Sequence, residues 1–274
     1  MVTRALPPEL TDDEWRELGL DPSDPFRYGW RYVAHERADG KTTYEQVPLT
    51  LEDVLHPQEG DHIMQGEEHI GWCLYLHMVF SHLLSHDPLA VVFQDLLFLW
   101  DVPGLKGHAP DLAVVFGVHP GHRESFDVAA EGARPALIVE ITSPSTASLD
   151  HQVKLEEYHI VGVPFYIIID RRIVRRQRTL RLLGYRYTPA GYEPMEPNER
   201  GWLWMEPLRA WIGIAEGKPV CYDEGGEPIG NYDQIAAERS EAQARAAAAE
   251  QRAEDAEARI RELEATLWRL QQGK

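Results

Sequence analysis

Two apolar segments, residues 136–142 (ALIVEIT) and 165–170 (FYIIID), constrain this chain more than any other feature. Continuous runs of Ile, Val and Leu without polar alternation suit strands of a sheet covered on both faces. Pro144 and Ser145 punctuate the stretch between them. Ser148 then reads as the N-cap of a helix running to about Val161, closed by Gly162 with Pro164 behind. Residues 89–100 and 112–118 read as two earlier strands. Residues 67–84 read as a helix whose apolar stripe is Ile70, Leu74, His77, Met78, Ser81 and Leu84. Residues 180–187 and 191–196 form a predicted hairpin, and 202–214 add partly buried aromatic material. The expected architecture is α/β, a small mixed sheet flanked by helices on both sides.

Glu140 breaks the first run. Its neighbours are bound for the interior, and an unpaired buried carboxylate is costly, so it needs a metal or a cationic partner such as an arginine. Asp111 follows Pro110 at the entrance of the strand at 112–118. Lys154 lies in the helix after Glu140, with Asp150 four residues before it, a spacing equally suited to a surface ion pair. Taken singly, Asp111 and Lys154 have ordinary explanations in a turn and a surface pair. Together, two carboxylates at the ends of adjacent strands and a nearby ammonium make a hard-oxygen site for Mg²⁺ (or Mn²⁺), suited to phosphodiester hydrolysis. Glu68 and His69 could add or orient a ligand, although a surface acid and a half-buried histidine explain them as well. Ser143 could cap or hydrogen-bond near the site, and Tyr158 is expected to pack against the sheet.

The segments PDLAVVF (110–116), PALIVEITSPST (135–146) and DHQVKLEEYHIVGVPFYIIID (150–170) resemble the Uma-type restriction endonuclease family of the PD-(D/E)XK nuclease superfamily. The resemblance spans about sixty residues. It implies a restriction-endonuclease-like fold, Asp111 and Glu140 as metal ligands, Lys154 as the catalytic lysine, and DNA as substrate. A standard third motif would place lysine at position 142, which is Thr142 here; the family takes its lysine from the following helix instead.

The net charge of −18 runs against tight nucleic-acid binding, because phosphate contacts need a basic surface. Between residues 51 and 230 there are 26 acidic against 14 basic residues, so weak non-specific DNA binding is expected. One basic cluster, Arg171, Arg172, Arg175, Arg176, Arg178 and Arg181, reads more simply as a solvated strand pair than as a phosphate track. With the acidic core and Thr142 in place of the standard lysine, a catalytically weak or inactive nuclease-fold protein acting by coiled-coil-mediated interaction is the alternative function, and a structural protein with Glu140 in a buried ion pair is a third.

The expected organisation is an irregular N-terminal arm at 1–50, a nuclease-like core at 51–215, a Gly/Pro linker at 216–230 and a coiled-coil helix at 231–274. The last rests on a heptad seam from Ile235 through Ala242, Ala249 and Ala256 to Leu263 and Leu270. Ala246, Ala253, Ile260 and Leu267 fill the alternate positions. Self-association through this seam is expected. No apolar run is long enough to span a bilayer, and the start does not read as a secretory signal. Cys73 and Cys221 lack metal or disulfide spacing, which points to a reducing, cytoplasmic setting. No dinucleotide or P-loop glycine pattern is present in the sequence.

Overall fold

The computed structural model describes residues 6, 7, 9–18, 20–174 and 177–230. The chain divides into a unit spanning residues 1–229 and a second from 230 to 274, and the heptad seam lies outside the described residues. The elements run α1 (Asp12–Glu17), β1 (Gly29–Glu36), β2 (Thr42–Pro48), α2 (Leu51–Leu55), β3 (His62–Ile63), α3 (Glu67–Leu83), β4 (Ala90–Phe93) and β5 (Leu97–Leu99). There follow β6 (Leu112–Phe116), β7 (Ser125–Asp127), α4 (Val128–Glu131) and β8 (Pro135–Ile141). A π-helical turn (Leu149–Lys154) leads into α5 (Leu155–Ile160), then β9 (Phe165–Val174), β10 (Gln177–Thr188) and β11 (Gly191–Pro194). Last come β12 (Leu203–Met205), β13 (Ala210–Ala215) and β14 (Lys218–Tyr222).

The central sheet has the order β11-β10-β9-β8-β6-β4. Its middle pair, β8 and β9, is parallel, and the remaining pairs are antiparallel, so the sheet is mixed as expected. The two apolar runs form the middle strands because only there are both faces covered. Ala113, Val115, Ile138, Tyr166 and Ile168 point to one face, where they pack with Phe98, Phe126 and Tyr158 of α5. The alternate residues Leu112, Val114, Leu137, Val139, Ile167 and Ile169 are equally buried on the other, and α3 lies against β4 and β6. Each such aliphatic side chain contributes about 1.5–3 kcal/mol of burial free energy.

Several expectations need correction. The segment 89–100 is two strands. The chain breaks at Gln94-Asp95-Leu96, where Asp95 has a φ of 50°, so that β4 joins the main sheet while β5 pairs with β7. The helix at 67–83 buries a different stripe, His69, Cys73, Leu76, Val79 and Phe80, leaving Ile70 and Leu74 about half exposed at 50% and 54%. Two apolar stripes lie side by side on this helix, and periodicity alone does not choose between them. Ser148 has helical dihedrals and no side-chain capping bond, because the helical run already includes it.

The N-terminal region is not an irregular arm. Thr11 caps α1 with a capping box, and β1 and β2 form an antiparallel hairpin. Most hairpin residues are exposed, so no alternation marked them in the sequence. The region is anchored by Trp15, Tyr28 and Leu49, which pack with Leu51, Leu55, Leu149 and Val153. The supposed linker at 216–230 contains β14, paired to β13 with Cys221 fully buried. Tyr75 Oη accepts from the Cys221 N–H at 3.0 Å and donates to the Ile229 carbonyl at 3.0 Å, tying this segment to α3. Among the described residues, no helix is long and apolar enough to cross a membrane.

The N-terminal anchor is testable. Trp15→Ala removes a side chain only 2% exposed and should cost about 3–5 kcal/mol in urea denaturation. A loss below about 1 kcal/mol, the scale of ordinary surface substitutions, would show that residues 11–28 are not part of this core.

Candidate active site

Antiparallel pairing of β6 with β8 sets Leu112 opposite Val139, which brings Asp111 and Glu140 to the same edge of the sheet. The Ile141 N–H donates to Asp111 Oδ2 at 2.6 Å. The Asp111 N–H faces Glu140 Oε2 at 3.5 Å, the outer limit of a hydrogen bond. Each acid is thus oriented by the strand that carries the other. Both are buried, Asp111 at 8% exposure and Glu140 at 2%.

Lys154 reaches this edge from the helix after β8. Its Nζ lies 3.0 Å from Glu140 Oε1 and 2.9 Å from Asp150 Oδ1. Tyr158 Oη donates to Glu140 Oε1 at 2.7 Å. Asp150, Lys154 and Tyr158 follow at steps of four, which would drift around a 3.6-residue helix; the wider π turn offsets that drift. The same turn sends Leu149 and Val153 into the N-terminal cluster while Tyr158 joins the sheet cluster. The Asp150–Lys154 pair is therefore buried, not the surface pair that i,i+4 spacing allowed. Tyr158 packs on the sheet as expected and also makes a hydrogen bond to Glu140.

The electrostatics follow from burial. Burial, opposed by Lys154 and reinforced by Asp111 and Asp150, pushes the Glu140 carboxyl up to about 8. Asp150 is raised mainly by burial. Burial alone would lower Lys154, but Asp150, Glu140 and Asp111 outweigh it, so the ammonium is held firmly protonated. Fully ionised, three buried carboxylates against one ammonium would carry excess negative charge, so without a further cation burial favours a proton on Glu140. Lys154 and Tyr158 both bind Oε1 of Glu140, leaving Oε2 on the Asp111 side. A hard divalent cation fits this donor set.

These groups line a cavity of about 520 Å³ with His69, Asp95 and Arg171 on its wall. Asp95 was not anticipated. Burial raises its carboxyl, with Asp111 adding to the effect, and Gln65 Nε2 donates to it at 3.3 Å. A lone acid inside VVFQDLLFLW was the available signal, the same one that singled out Glu140. His69 Nε2 lies 3.1 Å from Asp111 Oδ1. Glu68 turns away, pairing with Arg171 at 3.1 Å and Arg178 at 3.5 Å. Ser143 Oγ bonds within its own loop, to Ser145 and Thr146. Thr142 is 1% exposed, and its Oγ1 accepts from the Arg171 N–H, so position 142 is built into the sheet.

Among the described residues, no arginine pairs with Glu140. Arg172 and Arg181 pair with Asp170, and the described part of the arginine cluster lies on the β9–β10 strand pair, as its simpler reading had it. Arg175 and Arg176 lie outside the described residues.

Fold and site together define a mixed α/β protein with an acidic cavity at one edge of its central sheet. Residues 59–214 match the Uma2 family model, described as "Putative restriction endonuclease", and the chain belongs to that family. A solved structure described as a putative nuclease belonging to DUF820, from Anabaena variabilis, is 16% identical; the alignment covers 73% of this chain and 90% of that chain, with a TM-score of 0.38. No curated protein sequence matches the chain.

Lys154→Met strips the partner from two buried carboxylates and should destabilise the metal-free protein by about 3–5 kcal/mol in urea denaturation. Adding Glu140→Gln should recover part of that loss. Strict additivity of the two substitutions would contradict the pairing.

Proposed function

We propose that this protein is a metal-dependent endonuclease that hydrolyses DNA phosphodiester bonds, with Mg²⁺ or Mn²⁺ held by Asp111 and Glu140. The observation that carries the reading is the convergence of these two acids, 3.5 Å from backbone nitrogen to carboxylate oxygen, beside the Lys154 ammonium in an open cavity. Family membership supports the same activity.

A divalent cation held by Asp111 and Glu140 would supply Lewis acidity at the phosphoryl group and activate water at neutral pH. The protein's own groups do the rest. Ile141 N–H holds Asp111, and Tyr158 with Lys154 holds Glu140, so neither acid reorganises when substrate arrives. Lys154 uses two of its three N–H bonds on Glu140 and Asp150, leaving the third for a phosphoryl oxygen in the transition state. Arg171 lines the cavity but is engaged by Glu68 at 3.1 Å, so it reaches the DNA backbone only by exchanging that partner. With a net charge of −18 and few basic side chains at the cavity, DNA binding is weak.

The test is nicking of supercoiled plasmid in Mg²⁺ or Mn²⁺. Activity is expected in the native protein and absent in Asp111→Asn and Glu140→Gln. Nicking retained in both variants would contradict the assignment. A second reading, a nuclease fold with little activity, draws on the burial of Lys154 between two carboxylates at 12% side-chain exposure. Calorimetry that detects no divalent-metal binding at these acids would favour it. The heptad seam at 231–274 is proposed to mediate self-association. Deleting it should lower the mass seen by light scattering, and an unchanged mass would rule it out as the oligomerisation element.

A further inference from the structure

We infer that His69 is a third protein ligand of this cation site and that its nitrogen gives the site a preference for Mn²⁺ over Mg²⁺. The inference rests on Asp111 and Glu140 being the carboxylate ligands, and it extends that site to α3.

His69 stands in the first turn of α3 and is 8% exposed. Its Nε2 is buried without a hydrogen-bond partner. The Asp111 charge beside this buried ring nitrogen offsets its desolvation, but no directed hydrogen bond satisfies it. Asp111 Oδ1 is only 3.1 Å away, but the ring's in-plane direction at Nε2 does not aim at it, so the contact is close without being a directed bond. That combination is what two ligands of one ion present to each other. Adjacent ligands of an octahedral ion with bonds of about 2.1 Å lie about 3.0 Å apart, each pointing about 45° away from the other. The observed separation matches that edge.

Cys73 lies one turn further along α3, its Sγ within 4.8 Å of the His69 and Asp111 ligand atoms. Thiolate selects softer ions, so a hard cation held by carboxylates leaves Cys73 packed behind the site. His69 and Asp111 already hold their ligand atoms close together; with Glu140 as the second carboxylate, the donor set would be two carboxylates and one imidazole. Mg²⁺ favours oxygen ligands alone, so an imidazole nitrogen shifts the balance towards a first-row transition ion such as Mn²⁺.

A second group, His56, His108 and Glu157, does not compete as a site. The Trp100 indole N–H donates to His108 Nδ1 at 2.7 Å, so neutral His108 carries its proton on Nε2, directed at Glu157 at 2.6 Å. Its lone pair is already used.

The test is Mn²⁺ titration followed by electron paramagnetic resonance, with ¹⁵N hyperfine spectroscopy on full-length protein labelled at histidine. The native protein should bind Mn²⁺ with a resolved ¹⁵N coupling, and Asp111→Asn should lose both. His69→Gln should lose the coupling and weaken Mn²⁺ binding by about 10-fold or more, at least the loss seen when groups behind a ligand are removed. Its Mg²⁺ affinity, measured by competition, should change far less. Cys73→Ser should keep the coupling, and loss of coupling there would overturn the inference in favour of a thiolate site. Mn²⁺ binding that depends on Asp111 yet shows no ¹⁵N coupling in the native protein would overturn the role of His69 while sparing the carboxylate pair. Mn²⁺ binding indifferent to Asp111→Asn would overturn the carboxylate reading and this inference together.

Discussion

A single buried carboxylate, Glu140, organises the middle of this molecule. It sits near the end of an otherwise apolar strand, where solvent cannot stabilise its charge. Lys154 and Tyr158 come to it from the helix that follows, and Asp111 comes from the neighbouring strand. Lys154 in turn needs Asp150. The helical run between β8 and β9 must therefore present Asp150, Lys154 and Tyr158 to one place, and its π turn is the local solution.

That demand reaches beyond the sheet. Leu149 and Val153, carried by the same π turn, are the floor on which Trp15, Tyr28 and Leu49 pack. The N-terminal segments thus brace the element that supplies the ammonium. On the opposite side, α3 delivers His69 to Asp111, and Tyr75 of the same helix holds the end of β14 through Cys221 and Ile229. The cavity is built from elements distant in sequence, each with an apolar anchor close to its polar group.

Much of this was legible in the sequence. The central strands were marked by unbroken apolar runs, and Asp111, Glu140 and Lys154 by carboxylates and an amine in or beside them. The β10–β11 hairpin was anticipated at residues 180–187 and 191–196. The rest lacked a local signal. The β1–β2 hairpin is mostly exposed, so burial imposed no pattern on it. β14 lies among Gly and Pro residues that resemble a linker. The choice between two apolar stripes on α3 is made by tertiary packing, and that choice turns His69 inward and Ile70 outward. Asp95 lay in a segment read as one strand, which concealed that a positive-φ break carries it to the cavity.

The account turns on whether the excess negative charge at Asp111 and Glu140 is balanced by a cation or by a proton. A crystal grown with Mn²⁺ and measured at the manganese absorption edge decides this directly. The account predicts an anomalous peak within bonding distance of both carboxylates, with Lys154 still against Glu140. A map without that peak, with Glu140 held only by Tyr158 and Lys154, would contradict it.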